Sequence, residues 1–105
     1  MTAPSRTTTT IAELPGLAGR QLGTSDWFEV TQERVATFAD ATDDHQWIHV
    51  DVERAKAESP FGGPVAHGYL TLSLVVPLYS QVLTVSDATM GVNYCLLYTS
   101  DAADE

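Results

Sequence analysis

The stretch "FADATDDHQWIHVD", Phe38 to Asp51, decides how this sequence is read. Four aspartates and two histidines share its fourteen positions with a Trp and an Ile. Three environments fit that content: a solvated loop, a metal site, or an acid–base pair. Asp44 and His49 stand five positions apart, so an uninterrupted helix would not align them, whereas an irregular loop could turn both into one pocket. Taken singly, each of Asp40, Asp43, Asp44 and Asp51 has the character of a solvated or capping residue. His45 and His49 sit at i, i+4, a spacing that can chelate a metal on a helix. That pattern is common by chance, and no Glu follows the first His.

Just upstream, Thr31 can cap a helix that carries Glu33 in its first turn, where a carboxylate suits the helix dipole. Val35, Phe38, Ala39 and Thr42 fall on one face of that helix, which delivers the chain into the acidic stretch. "SDWFEVT" (25–31) alternates Trp27, Glu29 and Thr31 against Phe28 and Val30, which predicts a short strand. "LPGLAGRQLGTSD" (14–26) is punctuated by Pro15, Gly16, Gly19 and Gly23 and reads as loop. Residues 1–10 are Thr-rich, and residues 1–16 are expected to form a flexible N-terminal tail. Downstream, Asp51 is placed to cap a second helix, "VERAKAES", which "PFGGP" ends. An apolar helix is predicted from His67 or Gly68, bending near Pro77, and "ATMGVNYCLLYTS" (88–100) reads as a strand.

Composition narrows the function classes. A chain of 105 residues with 44% apolar and 18% charged residues is that of one small globular domain. A net charge of −9 with only five Lys and Arg argues against a nucleic-acid partner and against an anionic membrane surface. The apolar run "YLTLSLVVPLYSQVLTV" (69–85) is short for a membrane span and holds Ser73, Pro77, Ser80 and Gln81, so a buried helix is the better reading. The N-terminus has no apolar segment of the signal-peptide kind, and the one cysteine, Cys95, cannot form an internal disulfide. The expected location is the cytoplasm.

A second landmark is "FGGPVAHGYLTLSL" (61–74), in which a histidine and a glycine directly precede the apolar helix. Free backbone N–H groups at a helix start suit a developing negative charge, and Gly68 lets the backbone approach a ligand closely.

The two landmarks together resemble the MaoC-type, R-specific 2-enoyl-CoA hydratases, and most closely their NodN-like branch. That family's first motif runs F-A, two residues, S/T-G-D, one residue, N-P, one residue, H, one residue, D. Its second is P-I/V-A-H-G. The resemblance covers roughly residues 17–94. It implies an α+β hotdog fold, an antiparallel sheet wrapped around a long central helix, here incomplete because later strands are missing. It also implies reversible hydration of trans-2-enoyl-CoA to 3-hydroxyacyl-CoA, with an acyl-CoA thioester as partner, no cofactor, no metal, and a homodimer at full length.

Carried over by position, the catalytic carboxylate falls on Asp44, the imidazole on His49 and the oxyanion-binding N–H on Gly68. Asp43, Gln46 and Trp47 depart from the motif's Gly, Asn and Pro; "DDHQWIH" is itself a variant of the NodN-like branch. The choice between Asp43 and Asp44 stays open, with spacing to His49 favouring Asp44. His67 and Tyr69 are the substrate-binding candidates, although His67 also reads as ordering the loop before the helix. Tyr69, Leu70, Leu72, Leu74 and Val75 read as core, some of them also lining an acyl pocket.

The last eleven residues, "CLLYTSDAADE" (95–105), resemble a translated sequencing-library adapter and are expected to be a non-native tail. Residues 1–94 alone, with eleven acidic and five basic residues, carry a charge of −6. Two other functions compete with the hydratase. One is a non-catalytic acyl-CoA-binding hotdog subunit, disfavoured because Asp44, His49 and Gly68 are all present. The other is a metal-binding module using His45, His49 and a nearby Asp.

Overall fold

Helix α1 (Gln32–Thr42) starts where the Thr31 hydroxyl accepts the Arg34 amide at 3.1 Å, with Glu33 in the first turn, as the sequence predicts. It buries Val35 and Ala39 and half-buries Phe38, while Thr42 stays exposed. The helix ends at Asp43, whose φ of 59° lies in the left-handed region that Asp enters more readily than most side chains. That residue turns the chain out of the helix and into an irregular segment, from which a single turn, α2 (Trp47–Val50), emerges. Asp51 then caps α3 (Val52–Glu58), its carboxylate accepting the Arg54 amide at 3.1 Å. Arg54 closes this corner by lying 4.3 Å over the Trp47 ring and pairing with Glu58.

These coordinates come from a computed structural model that describes residues 3–92. The apolar helix is broken in two, α4 (Gly68–Ser73) and α5 (Val75–Val82), with Leu74 between them. Pro77 explains the place of the break. It has no N–H to bond the Ser73 carbonyl, and its ring crowds that same carbonyl, so the disturbance lies one turn before the proline. Leu70, Leu74 and Leu78 face inward at i, i+4, i+8; Leu70 and Leu74 join Val35 in the core, and Phe28, Phe38, Ala66 and Leu78 pack on it. The opposite face is uncovered: Tyr69 is 77% exposed and Leu72 54%, with Val75, Val76 and Tyr79 beside them. Tyr69, Leu72 and Val75 are therefore not core residues here. No helix among the described residues is long and apolar enough to cross a membrane.

The chain leaves α5 as strand β2 (Leu83–Val85), which pairs in parallel with β1 (Thr7–Thr9), Thr7 opposite Leu83 and Thr9 opposite Val85. The described residues are thus α+β, but their sheet is two-stranded and parallel, where an antiparallel sheet around the helix was expected. The strands are joined by the whole helical middle of the chain, a crossover long enough to permit parallel pairing. Residues 5–9 are correspondingly no frayed tail. The Arg6 guanidinium donates to the Ser80 and Gln81 carbonyls at the end of α5, at 2.9 and 3.1 Å. The Thr9 carbonyl accepts the Ser86 amide, and the Thr7 hydroxyl reaches the Leu22 carbonyl. A threonine run reads as polar loop by composition, yet its β-branched side chains also suit a strand once a partner lies alongside.

The strand expected over 25–31 does not form: the alternation is present, but the segment belongs to no ladder. Phe28 instead packs on the core, with the Arg34 guanidinium 4.9 Å from its ring. Of the strand expected over 88–100, residues 88–92 are irregular; the remainder, like the tail at 95–105, lies outside the described residues.

The two faces of α4 give a contrast that urea unfolding of this chain can read. Leu70→Ala, at a buried position, should cost about 2–5 kcal/mol. Leu72→Ala, on the open face, should stay within about 0.5 kcal/mol.

Candidate active site

The left-handed turn at Asp43 leaves that side chain exposed and carries the next residue, Asp44, toward two histidines. One carboxylate oxygen of Asp44 and one ring nitrogen each of His49 and His67 all lie within 4.8 Å of one another. Asp44 and His49 are half-buried, and His67 is 2% exposed. Three segments supply them: the turn after α1, the single turn α2, and the residue just before α4.

Backbone carbonyls set the two imidazoles. A carbonyl only accepts, so the His49 Nδ1, 2.8 Å from the Val65 carbonyl, carries the hydrogen of that bond. In its neutral form His49 therefore keeps its lone pair on Nε2. Val65 returns the contact, its amide donating to the Ile48 carbonyl at 3.1 Å, while Gln32 donates to the His49 carbonyl at 2.7 Å. The arrangement on His67 is the reverse. Its Nε2 donates to the main-chain carbonyl of Asp44 at 3.0 Å and lies 4.0 Å from that residue's carboxylate. Its Nδ1 is buried with no partner. The two rings stack, centroids 3.8 Å apart and planes 25° from parallel, and the Phe38 ring lies 4.9 Å from His67.

Asp44 rather than Asp43 thus joins His49, in line with the spacing. His45 stays apart, exposed and paired with Asp40 at 3.0 Å, because it lies before α2 rather than on it. The i, i+4 histidine pair that suggested a metal is therefore not assembled. Asp44, His49 and His67 have the composition of a carboxylate–bis-imidazole site, but a shared metal needs in-plane lone pairs converging at about 2.0–2.1 Å from each nitrogen. Stacked rings send theirs side by side, and the His67 Nε2 is already donating.

Gly68 is the first residue of α4, so its N–H has no acceptor within the helix. It has no left-handed φ, and a Cβ built on it would meet nothing within 4 Å, so neither backbone strain nor internal packing demands a glycine here. Behind it stands a six-residue helix rather than the long one expected, so its N–H acts as a local donor with only a modest dipole in support. Tyr69 is largely exposed to solvent. His67, the other substrate-binding candidate, sits under the carboxylate and the imidazole rather than at the surface. Sequence reasoning missed the roles of Gln32 and Val65. The first had no signal, and the second acts through main-chain atoms that no side chain announces.

The MaoC like domain model matches residues 13–97 of this chain. The 3-hydroxyacyl-thioester dehydratase Z of Mycobacterium tuberculosis (strain ATCC 25618 / H37Rv) is 52% identical over 91 residues, 87% of this chain and 60% of that protein. Nodulation protein N of Rhizobium leguminosarum bv. viciae is 51% identical over 87 residues, 82% of this chain and 54% of that protein. Nodulation protein N of Rhizobium meliloti (strain 1021) is also 51% identical, over 85 residues. The chain spans between a half and two thirds of the length of these curated relatives.

The opposed tautomers are open to measurement. At alkaline pH, with both rings neutral, nitrogen-15 shifts should show His49 protonated on Nδ1 and bare on Nε2, and His67 the reverse. The same tautomer in both rings would contradict the carbonyl assignments.

Proposed function

The chain belongs to the MaoC like domain family, and on that premise we propose that its whole protein reversibly hydrates trans-2-enoyl-CoA to 3-hydroxyacyl-CoA, using Asp44 and His49 to activate the water. The observation that carries this reading is a half-buried carboxylate and an imidazole with a free Nε2 within 4.8 Å of each other, next to a helix start with an uncommitted amide. The name of the mycobacterial relative, a 3-hydroxyacyl-thioester dehydratase, describes the same chemistry in the reverse direction.

In this mechanism one water lies between the Asp44 carboxylate and the His49 Nε2. As the water oxygen adds to C3 the water gives one proton to Asp44, and that same proton is relayed through the His49 Nε2 to C2, which returns both side chains to their starting states. His49 exchanges protons only through Nε2, because Val65 holds Nδ1–H throughout. Negative charge grows on the thioester oxygen during addition, and the Gly68 N–H stabilises it. The open space at the Gly68 Cβ position is what a closely approaching acyl carbonyl requires. Neither a metal nor a cofactor enters any step. For the whole protein we infer a hotdog fold and a homodimer, in which further strands or a second copy cover Tyr69, Leu72, Val76 and Tyr79.

Hydration of crotonyl-CoA by the full-length protein, followed as loss of the enoyl thioester absorbance, tests the pair. Asp44→Asn and His49→Ala should each lower kcat by about 10²–10⁴-fold. A wild type that binds the thioester and turns nothing over would make the protein a binding subunit instead.

The amide can be tested separately with Gly68→Pro. His67, at ψ 137°, already has the backbone favoured before proline, and the first helical position tolerates it. The melting curve should therefore hold while kcat falls by about 10²–10³-fold. Unchanged turnover would remove Gly68 from the mechanism.

A further inference from the structure

We propose that His67 is a positioning residue for this reaction, its buried ring fixing the spacing of the Asp44 carboxylate, the His49 imidazole and the Gly68 amide. The proposal rests on the Asp44–His49 reading and extends it to a residue that takes no part in the chemistry.

The argument begins with what a histidine supplies at this position that another ring would not. His67 is 2% exposed, and its Nδ1 is buried without a partner. An orphaned buried polar atom is destabilising, so as core filling alone a phenylalanine would serve better. The compensating feature is the single N–H at Nε2, which meets the main-chain carbonyl of Asp44 at 3.0 Å. That carbonyl belongs to an irregular segment beyond the end of α1, where no helix or strand bond is present to hold it. The His67 ring ties the Asp44 backbone down, and the Gln46 amide, donating to Asp44 Oδ1 at 3.5 Å, then helps to direct the carboxylate.

The same ring constrains the other two groups. Its face stacks on His49 at 3.8 Å. The Val65 carbonyl fixes the His49 ring at Nδ1, so the bond and the stack together restrict both the rotation of the ring and its tilt. Its backbone leads directly into Gly68. The His67 carbonyl accepts both the amide and the hydroxyl of Thr71, at 3.1 and 3.3 Å, so the residue also anchors the first turn of α4. One residue, through its ring to Asp44 and His49 and through its main chain to Gly68, thereby sets the distances among three groups from three segments. Misplacement by about 1 Å can cost about 10²-fold in rate.

His67 is not a proton carrier. Its Nε2 hydrogen is given to an amide carbonyl, which is no base at neutral pH, and its Nδ1 is sealed from solvent.

The test compares full-length wild type, Asp44→Asn, His67→Phe and His67→Gln on crotonyl-CoA. His67→Phe keeps a ring and loses the donor. It should lower kcat by about 10- to 100-fold with KM within about threefold, and leave the pH profile of kcat/KM in place. His67→Gln, whose amide nitrogen can reach the Asp44 carbonyl, should recover most of that loss. A merely structural role would show as lowered stability with no split between kcat and KM and no recovery by Gln. His67→Phe as active as wild type, with Asp44→Asn inactive, would overturn the proposal and leave the Asp44–His49 reading standing. Loss of an ionisation from the pH profile of either His67 variant would also overturn it, by making His67 a proton carrier. A wild type without turnover, or an Asp44→Asn as active as wild type, would sink the parent reading and the proposal with it. Should His67→Phe not fold, His67→Gln decides: kcat within about tenfold of wild type supports the donor as the requirement, and a loss as deep as that of Asp44→Asn overturns it.

Discussion

The bond from the His67 ring to the Asp44 carbonyl joins two stretches of chain that no regular structure connects. One stretch runs out of α1 through a left-handed turn, and the other runs irregularly from α3 to α4. Among the described residues, two further bonds hold them edge to edge, between the Val65 amide and the Ile48 carbonyl and between the His49 ring and the Val65 carbonyl. None of the three is a helix or strand bond. Each forms only when the stretches are already correctly placed, which the apolar contact of Val35 with Leu70 and Leu74 accomplishes. Core and clasp thus depend on one another: the core brings α1 to α4, and the clasp converts that proximity into a fixed arrangement of carboxylate and imidazole.

The core is too small to account for the apolar content of α4 and α5. Leu70, Leu74 and Leu78 are directed inward, while Tyr69, Leu72, Val76 and Tyr79 form an equally apolar stripe on the open side. A helix apolar on both sides is the pattern of one covered on both sides. The break imposed by Pro77 divides it into six and eight residues, which leaves little macrodipole behind Gly68. In the proposed mechanism, anion stabilisation at that end therefore rests on the N–H itself and its distance to the substrate oxygen, so the placement of His67 matters more than the length of the helix behind it.

Much of this was legible in the sequence wherever a side chain carries its own instruction. Thr31 and Asp51 cap because their oxygens can reach an amide three residues on, and both do. Pro77 announced a disturbance, although steric contact with residue i−4 moves it one turn upstream. The spacing to His49 favoured Asp44 over Asp43, and it is Asp44 that lies near the two histidines while Asp43 takes up the left-handed turn. Long-range backbone pairing was not legible. The Thr-rich start becomes a strand only because Leu83–Val85 arrives beside it, and the alternation over 25–31 yields no strand because it joins no ladder.

The imidazoles show the same limit at the level of single atoms. His49 and His67 are chemically identical in the sequence, and each gives one N–H to a main-chain carbonyl. Which nitrogen is taken separates them. Val65 takes Nδ1 of His49, so its Nε2 remains available on a half-buried ring beside a carboxylate. Asp44 takes Nε2 of His67, and the nitrogen left over is sealed inside the protein. One ring is thereby equipped to exchange a proton and the other is denied a route for one. The selecting groups are carbonyls at residues 44 and 65, which any amino acid would present. A motif can therefore name the histidines, but only the path of the backbone between them assigns their work.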